Sequence, residues 1–176
     1  MTTDAPSSPT QVAAQYFEAL RRRDLDATQA LSHHDVVDDF VVIGELRGVA
    51  MIRNFFTEVF DAFPDFDIEA LNIVGDQDHA VVQWLATGTF TGTPFQGIHA
   101  TGRSIELRGC DVMRFEDGRL KHNTIYYDGL GFARRIGMLP REGSSADRAM
   151  TAAFNAGTDV WARLQKTMSK PAARAG

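Results

Sequence analysis

The chain contains little cysteine, no excess of basic charge and no long apolar run, and each absence excludes a class of protein. Its single cysteine, Cys110, rules out an internal disulfide framework and leaves a thiolate metal cluster without ligands. The formal charge of -5 argues against nonspecific nucleic-acid binding, which needs a basic face. No apolar run approaches the roughly 20 residues of a membrane span, and the N-terminus lacks the basic start and apolar centre of a secretory signal. We therefore expect a cytoplasmic protein that binds neither nucleic acid nor membrane.

The composition is that of a globular protein with a substantial core. Of the 176 residues, 44% are hydrophobic and 23% are charged, and this length suits one domain. Residues 1–8 are polar and rich in Pro and Ser, which predicts a disordered N-terminus. We expect a domain at 9–140, a linker and C-terminal helix at 141–168, and a disordered tail at 169–176.

Hydrophobic spacing and turn residues divide the chain into helices and strands. Ser8, Pro9 and Gln11 form the pattern of a capped helix start, in which Ser8 and Gln11 complete a capping box. The predicted helices cover residues 9–23, 24–31, 48–63, 129–139 and 146–168. The predicted strands cover residues 36–43, 66–74, 80–90, 104–116 and 119–128. Helices followed by long strands predict an α+β fold, with a curved antiparallel sheet wrapped around a long helix and an interior pocket.

The Asp117-Gly118 pair predicts a tight hairpin and thereby the faces of two strands. On the first strand the apolar alternation places Asp111 and Met113 in the inward row. Residues directly opposite one another share a face, and a two-residue turn would place Thr124 opposite Asp111. The inward row of the second strand would then consist of His122, Thr124, Tyr126 and Asp128. One extra residue in the hairpin would move this row to the other face.

An aspartate in an apolar row is a candidate acid or base. Burial should raise the pKa of Asp111, making it a base poised near neutrality or a protonated hydrogen-bond donor. The alternative is a structural carboxyl satisfied by Thr124 or Tyr126. Asp128 would lie roughly 13 Å from Asp111, at about 3.3 Å per residue, and could act on another part of the same bound molecule. Its alternative role is to cap the helix that follows.

Other residues are candidates for the wall of the pocket. Gly109 would leave space opposite Tyr126, either for a ligand or for the tyrosine ring. His99, in a glycine-rich loop, is a candidate for the pocket rim, and His122 is either functional or a partly buried structural histidine. The predicted substrate-binding residues are Trp84, Phe56, His99, Thr124 and Met113; for the two aromatic residues, plain core packing is the alternative.

The first predicted strand carries two adjacent aspartates, Asp38 and Asp39, and both of its alternating rows look apolar. One of the two carboxyl groups should therefore face the pocket, and Asp39 is the catalytic candidate. The preceding His33-His34-Asp35 resembles a metal site only in composition, because adjacent residues of an extended chain point apart. We expect a solvated turn there, and no metal or cofactor in the protein.

The order of the elements and several short motifs resemble the SnoaL-like polyketide cyclases of the NTF2-like superfamily over roughly residues 9–140. The motifs are Tyr16-Phe17-Glu18-Ala19-Leu20, Gly44-Glu45-Leu46-Arg47-Gly48, Ile52-Arg53-Asn54-Phe55-Phe56, Phe115-Glu116-Asp117-Gly118-Arg119-Leu120 and Tyr127-Asp128-Gly129-Leu130-Gly131. The resemblance implies an NTF2-like cone and a homodimer. It also implies that a final-strand aspartate, Asp128 here, acts as acid and base in an intramolecular aldol ring closure without metal or cofactor.

Ketosteroid isomerase, a related family, suggests a second assignment. Its oxyanion-hole tyrosine and aspartate resemble Tyr16 and Asp111, whereas its catalytic base would fall at Phe40, next to Asp39.

Two hypotheses about function follow. In the first, Asp128 or Asp39 removes a proton α to a carbonyl of a hydrophobic small molecule, and protonated Asp111 stabilises the enolate with Tyr16 or Tyr126. The enolate then closes a ring, or is reprotonated elsewhere in an isomerisation. In the second, the cone is a noncatalytic module that binds a small ligand.

Overall fold

A computed structural model describes residues 8–168 as helices and strands in the α+β order that the sequence predicts. The elements are α1 (Pro9–Arg21), α2 (Leu25–Ala30), β1 (Ser32–Phe40), β2 (Gly44–Arg47), α3 (Val49–Ala62), β3 (Asp67–Gly75), β4 (His79–Thr89), β5 (Ser104–Glu116), β6 (Arg119–Tyr127), α4 (Gly129–Ile136) and α5 (Ser145–Met168). None of the helices described is long and apolar enough to cross a membrane. The sequence predicts disorder at residues 1–8 and 169–176. Residues 1–7 and 169–176 lie outside the described residues, whereas Ser8 is described and caps the first helix.

Side-chain caps start the first two helices where the sequence predicts them. The Ser8 hydroxyl accepts a hydrogen bond from the Gln11 backbone N–H at 3.3 Å, and the Gln11 side chain accepts one from the Ser8 N–H at 2.9 Å. Asp24 caps α2 by accepting from the Ala27 N–H at 3.0 Å. These bonds satisfy backbone donors that the first turn of a helix leaves free.

The six strands form one curved sheet in the order β2-β1-β6-β5-β4-β3. Four of the five strand pairs are antiparallel, but β1 and β6 run parallel, so the prediction of an antiparallel sheet holds except for this pair. The parallel pair brings the start of the chain beside the last strand. Side chains of β1 and β6 therefore lie next to one another on the concave face of the sheet.

The first strand is displaced from its predicted position. β1 covers Ser32–Phe40 rather than 36–43, so His33 to Asp35 lie in a strand and not in a solvated turn. The chain reverses over residues 41–43 and returns as β2, a strand that the hydrophobic pattern does not predict. Gly44, at φ 98°, pairs with Phe40 and allows this reversal. The β-branched residues of 41–43 favoured a strand prediction but form the exposed tip of the hairpin.

The hairpin between β5 and β6 begins as predicted and then slips by one residue. Glu116 pairs with Arg119 and Phe115 with Leu120, but the next pair is Arg114 with His122. Lys121 is the extra residue of a β-bulge; its ammonium contacts the Asp35 carboxylate at 2.6 and 2.7 Å. Because the bulge inverts the two faces of β6 beyond Leu120, Asp111 lies opposite Ile125 rather than Thr124.

The core occupies the concave side of the sheet, under α1 and α3. Two buried clusters form it, one centred on α1 and the middle of the sheet and one on Phe63, Phe90, Phe95 and Ile136. Phe63 and Phe90 stack with ring centroids 5.0 Å apart. Three members of the second cluster, Phe63, Phe95 and Ile136, also line a cavity between the helices and the sheet.

A separate C-terminal unit begins at Leu139, and the structure describes it as far as Met168. The Ser144 hydroxyl accepts a hydrogen bond from the Asp147 N–H at 3.1 Å, and the Asp147 side chain accepts one from the Gly143 N–H at 2.9 Å. These contacts begin α5, a helix of 24 residues.

Candidate active site

A cavity of about 290 Å³ lies between the concave face of the sheet and helices α1, α3 and α4. Its lining is almost entirely apolar and includes eight phenylalanines. Among the described residues that line it there is no Lys, Arg or His. The described lining therefore offers a largely apolar surface and no cation for a bound anion.

The ionisable groups of the lining come from neighbouring parts of the sheet. Asp38 on β1 and Asp111 on β5 are 1% and 5% exposed, and Asn123 on the intervening strand β6 is also buried. Both oxygens of Asp111 accept hydrogen bonds, from the Trp84 indole N–H at 2.7 Å and from the Asn123 amide at 2.8 Å. Two N–H donors favour the ionised form of this carboxyl.

Burial changes the proton affinity of both carboxyl groups. Burial raises the pKa of Asp111 to about 6, although the hydrogen bonds from Asn123 and Trp84 counteract part of the rise. The pKa of Asp38 is raised well above its ordinary value, chiefly by burial and then by the charge of Asp111, while an interaction with Asn123 lowers it. Because the charge of Asp111 acts on Asp38, Asp111 loses its proton first and Asp38 keeps its proton to higher pH.

Unpartnered oxygen atoms support this distribution of protons. Within the described part of the chain, Asp38 Oδ1 and Asn123 Oδ1 are buried without a hydrogen-bond partner. A carboxylate can only accept hydrogen bonds, whereas a protonated carboxyl also donates one. A proton on Asp38 therefore adds a hydrogen-bond donor to a region whose buried oxygen atoms, Asp38 Oδ1 and Asn123 Oδ1, have no partner.

Tyr16 on α1 adds a hydroxyl to the same lining. Burial raises the pKa of this phenol well above its ordinary value, and the charges of Asp38 and Asp111 add to the effect. Within residues 8–168 its hydroxyl forms no hydrogen bond, so it remains available as a donor. Tyr127 on β6 also lines the cavity, and burial raises the pKa of its phenol.

Gly109 makes room for the indole that binds Asp111. It pairs with Trp84 across β4 and β5, and an added Cβ atom would lie only 2.1 Å from Cζ2 of that ring. The space left by the missing side chain thus holds neither a ligand nor the Tyr126 ring. It holds Trp84, whose N–H reaches the carboxyl of Asp111.

The structure places some of the residues predicted from the sequence at the cavity. Tyr16, Phe56, Trp84 and Asp111 all line it. Met113 faces inward as predicted, but it is completely buried in the core and is not part of the lining.

The bulge at Lys121 overturns the predicted inward row of β6. His122 and Thr124 face away from the cavity and interact with each other at 3.3 Å, and Tyr126 is 50% exposed. The inward positions belong instead to Asn123, Ile125 and Tyr127. The alternation of β6 alone could not reveal this, because the extra residue becomes visible only in its pairing with β5.

The remaining predicted residues lie away from the cavity. Asp128 is exposed and caps α4 by accepting from the Gly131 N–H at 2.8 Å, which is the alternative role considered for it. On β1 the inward aspartate is Asp38 and not Asp39: Asp38 is buried in the same row as Val36 and Phe40. Both rows of this strand look apolar in the sequence, so its alternation alone gave no signal. His99 is exposed, and its loop contributes Gln96 and Ile98 to the lining instead.

No group of three or more His, Cys, Asp or Glu that could hold a metal ion occurs among the described residues. The described polar side chains at the cavity are two carboxyl groups, two phenols, one indole and two amides.

Comparison with solved structures identifies the fold as NTF2-like. AclR of Streptomyces galilaeus, a candidate hydroxylase, is 20% identical with a TM-score of 0.65, covering 90% of this chain and 95% of AclR. IdmH of Streptomyces antibioticus, a candidate polyketide cyclase, is 23% identical with a TM-score of 0.64, covering 74% of this chain and 99% of IdmH. A candidate SnoaL-like polyketide cyclase from Jannaschia sp. CCS1 is 19% identical with a TM-score of 0.66, covering 78% and 99% of the two chains.

Sequence comparison gives the family. A search of curated protein sequences found no match. The family model described as SnoaL-like polyketide cyclase matches residues 10–136, most of the chain and all of the elements that line the cavity. The chain therefore belongs to the SnoaL-like polyketide cyclase family.

Proposed function

We propose that the protein is a cofactor-independent acid/base enzyme that acts on an uncharged, hydrophobic compound bearing carbonyl groups. The observation that carries the proposal is the pair of buried carboxyl groups, Asp38 and Asp111, in the wall of an otherwise apolar cavity. Their environments favour different protonation states, as in other sites that transfer protons near neutral pH. Family membership supports aldol ring closure as the reaction.

Asp38 is the proton-transferring group in this proposal, in place of Asp39. Its Oδ1 atom has no partner in the described chain, whereas both oxygens of Asp111 are occupied by N–H donors. In its ionised form Asp38 removes a proton α to a carbonyl. Its raised pKa makes it a stronger base than an ordinary carboxylate, which suits a weak carbon acid.

Tyr16 donates a hydrogen bond to the oxygen on which negative charge develops. Its hydroxyl is unpartnered in the described chain, and its raised pKa keeps it protonated. The enolate carbon then attacks a second carbonyl of the same molecule and forms a C–C bond, and the new alkoxide takes the proton back from Asp38. The sequence of steps consumes no other reactant.

Asp111 is a positioning residue in this scheme. Its ionised carboxylate holds the Asn123 amide and the Trp84 indole, and its charge raises the pKa of Asp38. This role differs from the one expected from the sequence, in which protonated Asp111 donates to the enolate. The two N–H donors on its oxygens argue for the acceptor role.

Replacing each of the two adjacent aspartates of β1 tests the proposal. Asp38→Asn should lower kcat by about 10²–10⁴-fold, the usual loss when a general base is removed. Asp39→Asn, which changes the neighbouring outward carboxyl, should leave kcat within about twofold. The substrates would be a panel of neutral aromatic polyketides and cyclic ketones, and exchange of α-hydrogens in D₂O would report proton abstraction separately from ring closure. Full turnover and full exchange by Asp38→Asn would refute the assignment.

The same measurements distinguish the alternatives. The observation that supports isomerisation as the second candidate is that Tyr16, Asp38 and Asp111 line one cavity. A single base there could remove a proton from one carbon and return it to another. That reaction would give α-exchange and a shifted double bond without a new ring. A noncatalytic binding module would bind the panel equally with and without Asp38, and would show no exchange.

Among acids and esters of one skeleton, the neutral ester should bind more tightly, because no described cation lines the cavity.

A further inference from the structure

Helix α5 carries a stripe of apolar residues at coiled-coil spacing. The stripe, called here the α5 stripe, consists of Met150, Phe154, Gly157, Trp161 and Leu164, whose separations alternate between four and three residues. This is the spacing of the core positions of a heptad repeat, at which one helix packs against another. Phe154 is 73% exposed and Trp161 is 65% exposed, so both aromatic rings lack a partner in the described chain.

The glycine in the middle of the α5 stripe has no local explanation. Gly157 lies inside the helix, where glycine lowers helix stability relative to alanine. Its φ angle is not positive, and a Cβ atom added to it would meet nothing within 4 Å. Neither backbone conformation nor packing within the described chain therefore requires glycine here. Its effect is to leave a notch in the stripe between the rings of Phe154 and Trp161.

An antiparallel pair of α5 helices would fill this notch. In an antiparallel pair centred on Asp159, Trp161 of one helix lies opposite Gly157 of the other, and the two-fold axis repeats the contact. Phe154 then lies opposite Leu164. A parallel pair would instead place the two Trp161 rings against each other and the two glycines opposite a void. The large and small residues of the stripe are thus complementary to a second copy in the antiparallel orientation.

The size and charge of the α5 stripe also suit a second copy. Its exposed side chains amount to roughly 600 Å² per helix, so that pairing would bury about 1,200 Å², the lower end of the range for specific interfaces. The flanking residues Thr151, Ala153, Thr158 and Val160 are uncharged, so two copies meet without repulsion.

We propose that α5 is a self-association helix, which pairs antiparallel with α5 of a second copy of this chain by seating Trp161 in the notch at Gly157. The surface lies on α5 alone and is independent of the chemistry proposed for the cavity.

Distances between spin labels on the full chain test the geometry. In a Cys110→Ser background, which removes the only native thiol, a label at Asp159→Cys or Ala152→Cys would lie on the side of α5 away from the stripe. At 1.5 Å per residue, an antiparallel pair separates the two Ala152 sites by about 21 Å along the axis, while the two Asp159 sites lie level. The distance at Asp159 should therefore be short and the distance at Ala152 clearly longer. Equal distances at both sites, or no distance at either, would overturn the proposal.

Filling the notch provides the second test, with a matched control. Gly157→Leu places bulk where Trp161 should sit and should raise the dissociation constant of the α5 pair at least tenfold, measured by sedimentation and by loss of the Asp159 distance. Ala156→Leu adds the same bulk one residue away, off the stripe, and should change neither. Circular dichroism would show that both variants keep the helix. Unchanged association in Gly157→Leu would contradict the proposal. A second contradicting outcome is a monomeric protein in which Trp161→Ala lowers the Tm of the domain at residues 9–140, because α5 would then pack on its own chain.

Discussion

Asp111 should give the folding stability a pH dependence opposite to that of ordinary surface carboxyl groups. Burial raises its pKa from 3.8 to about 6. A carboxyl whose pKa is higher in the folded protein than in the unfolded chain holds its proton more tightly when folded. Its contribution to stability is therefore complete below about pH 4 and is lost as the pH rises through 6.

The size of this loss follows from the change in pKa. A rise from 3.8 to about 6 corresponds to about 3 kcal/mol, at about 1.4 kcal/mol for each pH unit. Asp111→Asn has no proton to lose, so its unfolding free energy minus that of the wild type should increase by about 2–3 kcal/mol from pH 4 to pH 8, part of the total change falling below pH 4. Removing the Asp111 charge also lowers the pKa of Asp38, which changes the difference in the same direction.

Urea denaturation from pH 4 to pH 8 measures this difference. Far-ultraviolet circular dichroism is the suitable signal, because Trp84 donates its indole N–H to Asp111 and its fluorescence would change with the substitution itself. Asp65→Asn is a control whose difference from the wild type should stay nearly constant over this range. Hydrogen bonds from Thr89 lower the pKa of Asp65, so its contribution to stability is present above the unfolded pKa and is lost only on acidification below about pH 4. A difference for Asp111→Asn that stays constant or falls with rising pH would refute the account of this site.

Three further predictions concern the surroundings of Asp111 and the proposed base. Gly109→Ala should force the Trp84 ring away from Asp111 and destabilise the fold by about 1–3 kcal/mol in urea denaturation; a neutral effect would contradict the tight contact. Asp128→Ala removes the cap of α4 and should cost about 1 kcal/mol of stability while leaving kcat within about twofold; a large loss of kcat would restore Asp128 as a catalytic residue. Because the proposed base must be ionised, kcat/KM should rise with pH through the raised pKa of Asp38, and a pH-rate profile falling over pH 5–8 would exclude that role.

The features that local patterns determine were predictable from the sequence. The cap at Ser8, the α+β class and the inward row of β5 depend on residues close together in the chain. The two-residue alternation of β5 was sufficient to place Asp111 in the interior. The motifs that resemble SnoaL-like cyclases led to the family that the family model confirms.

The composition of the site was decided by contacts between distant segments. One inserted residue, Lys121, moved His122 out of the cavity and Asn123 into it, and nothing in the local sequence of β6 marks the insertion. The choice between Asp38 and Asp39 depended on the parallel pairing of β1 with β6, which aligns Asp38 with Asn123, a residue far away in the sequence. A strand has two faces, and its own alternation cannot tell which one meets the core when both look apolar. The sequence by itself therefore determined that a carboxyl would be buried in an apolar cavity, whereas the tertiary pairing decided which groups surround it, because only neighbouring strands set the register that selects the inward face.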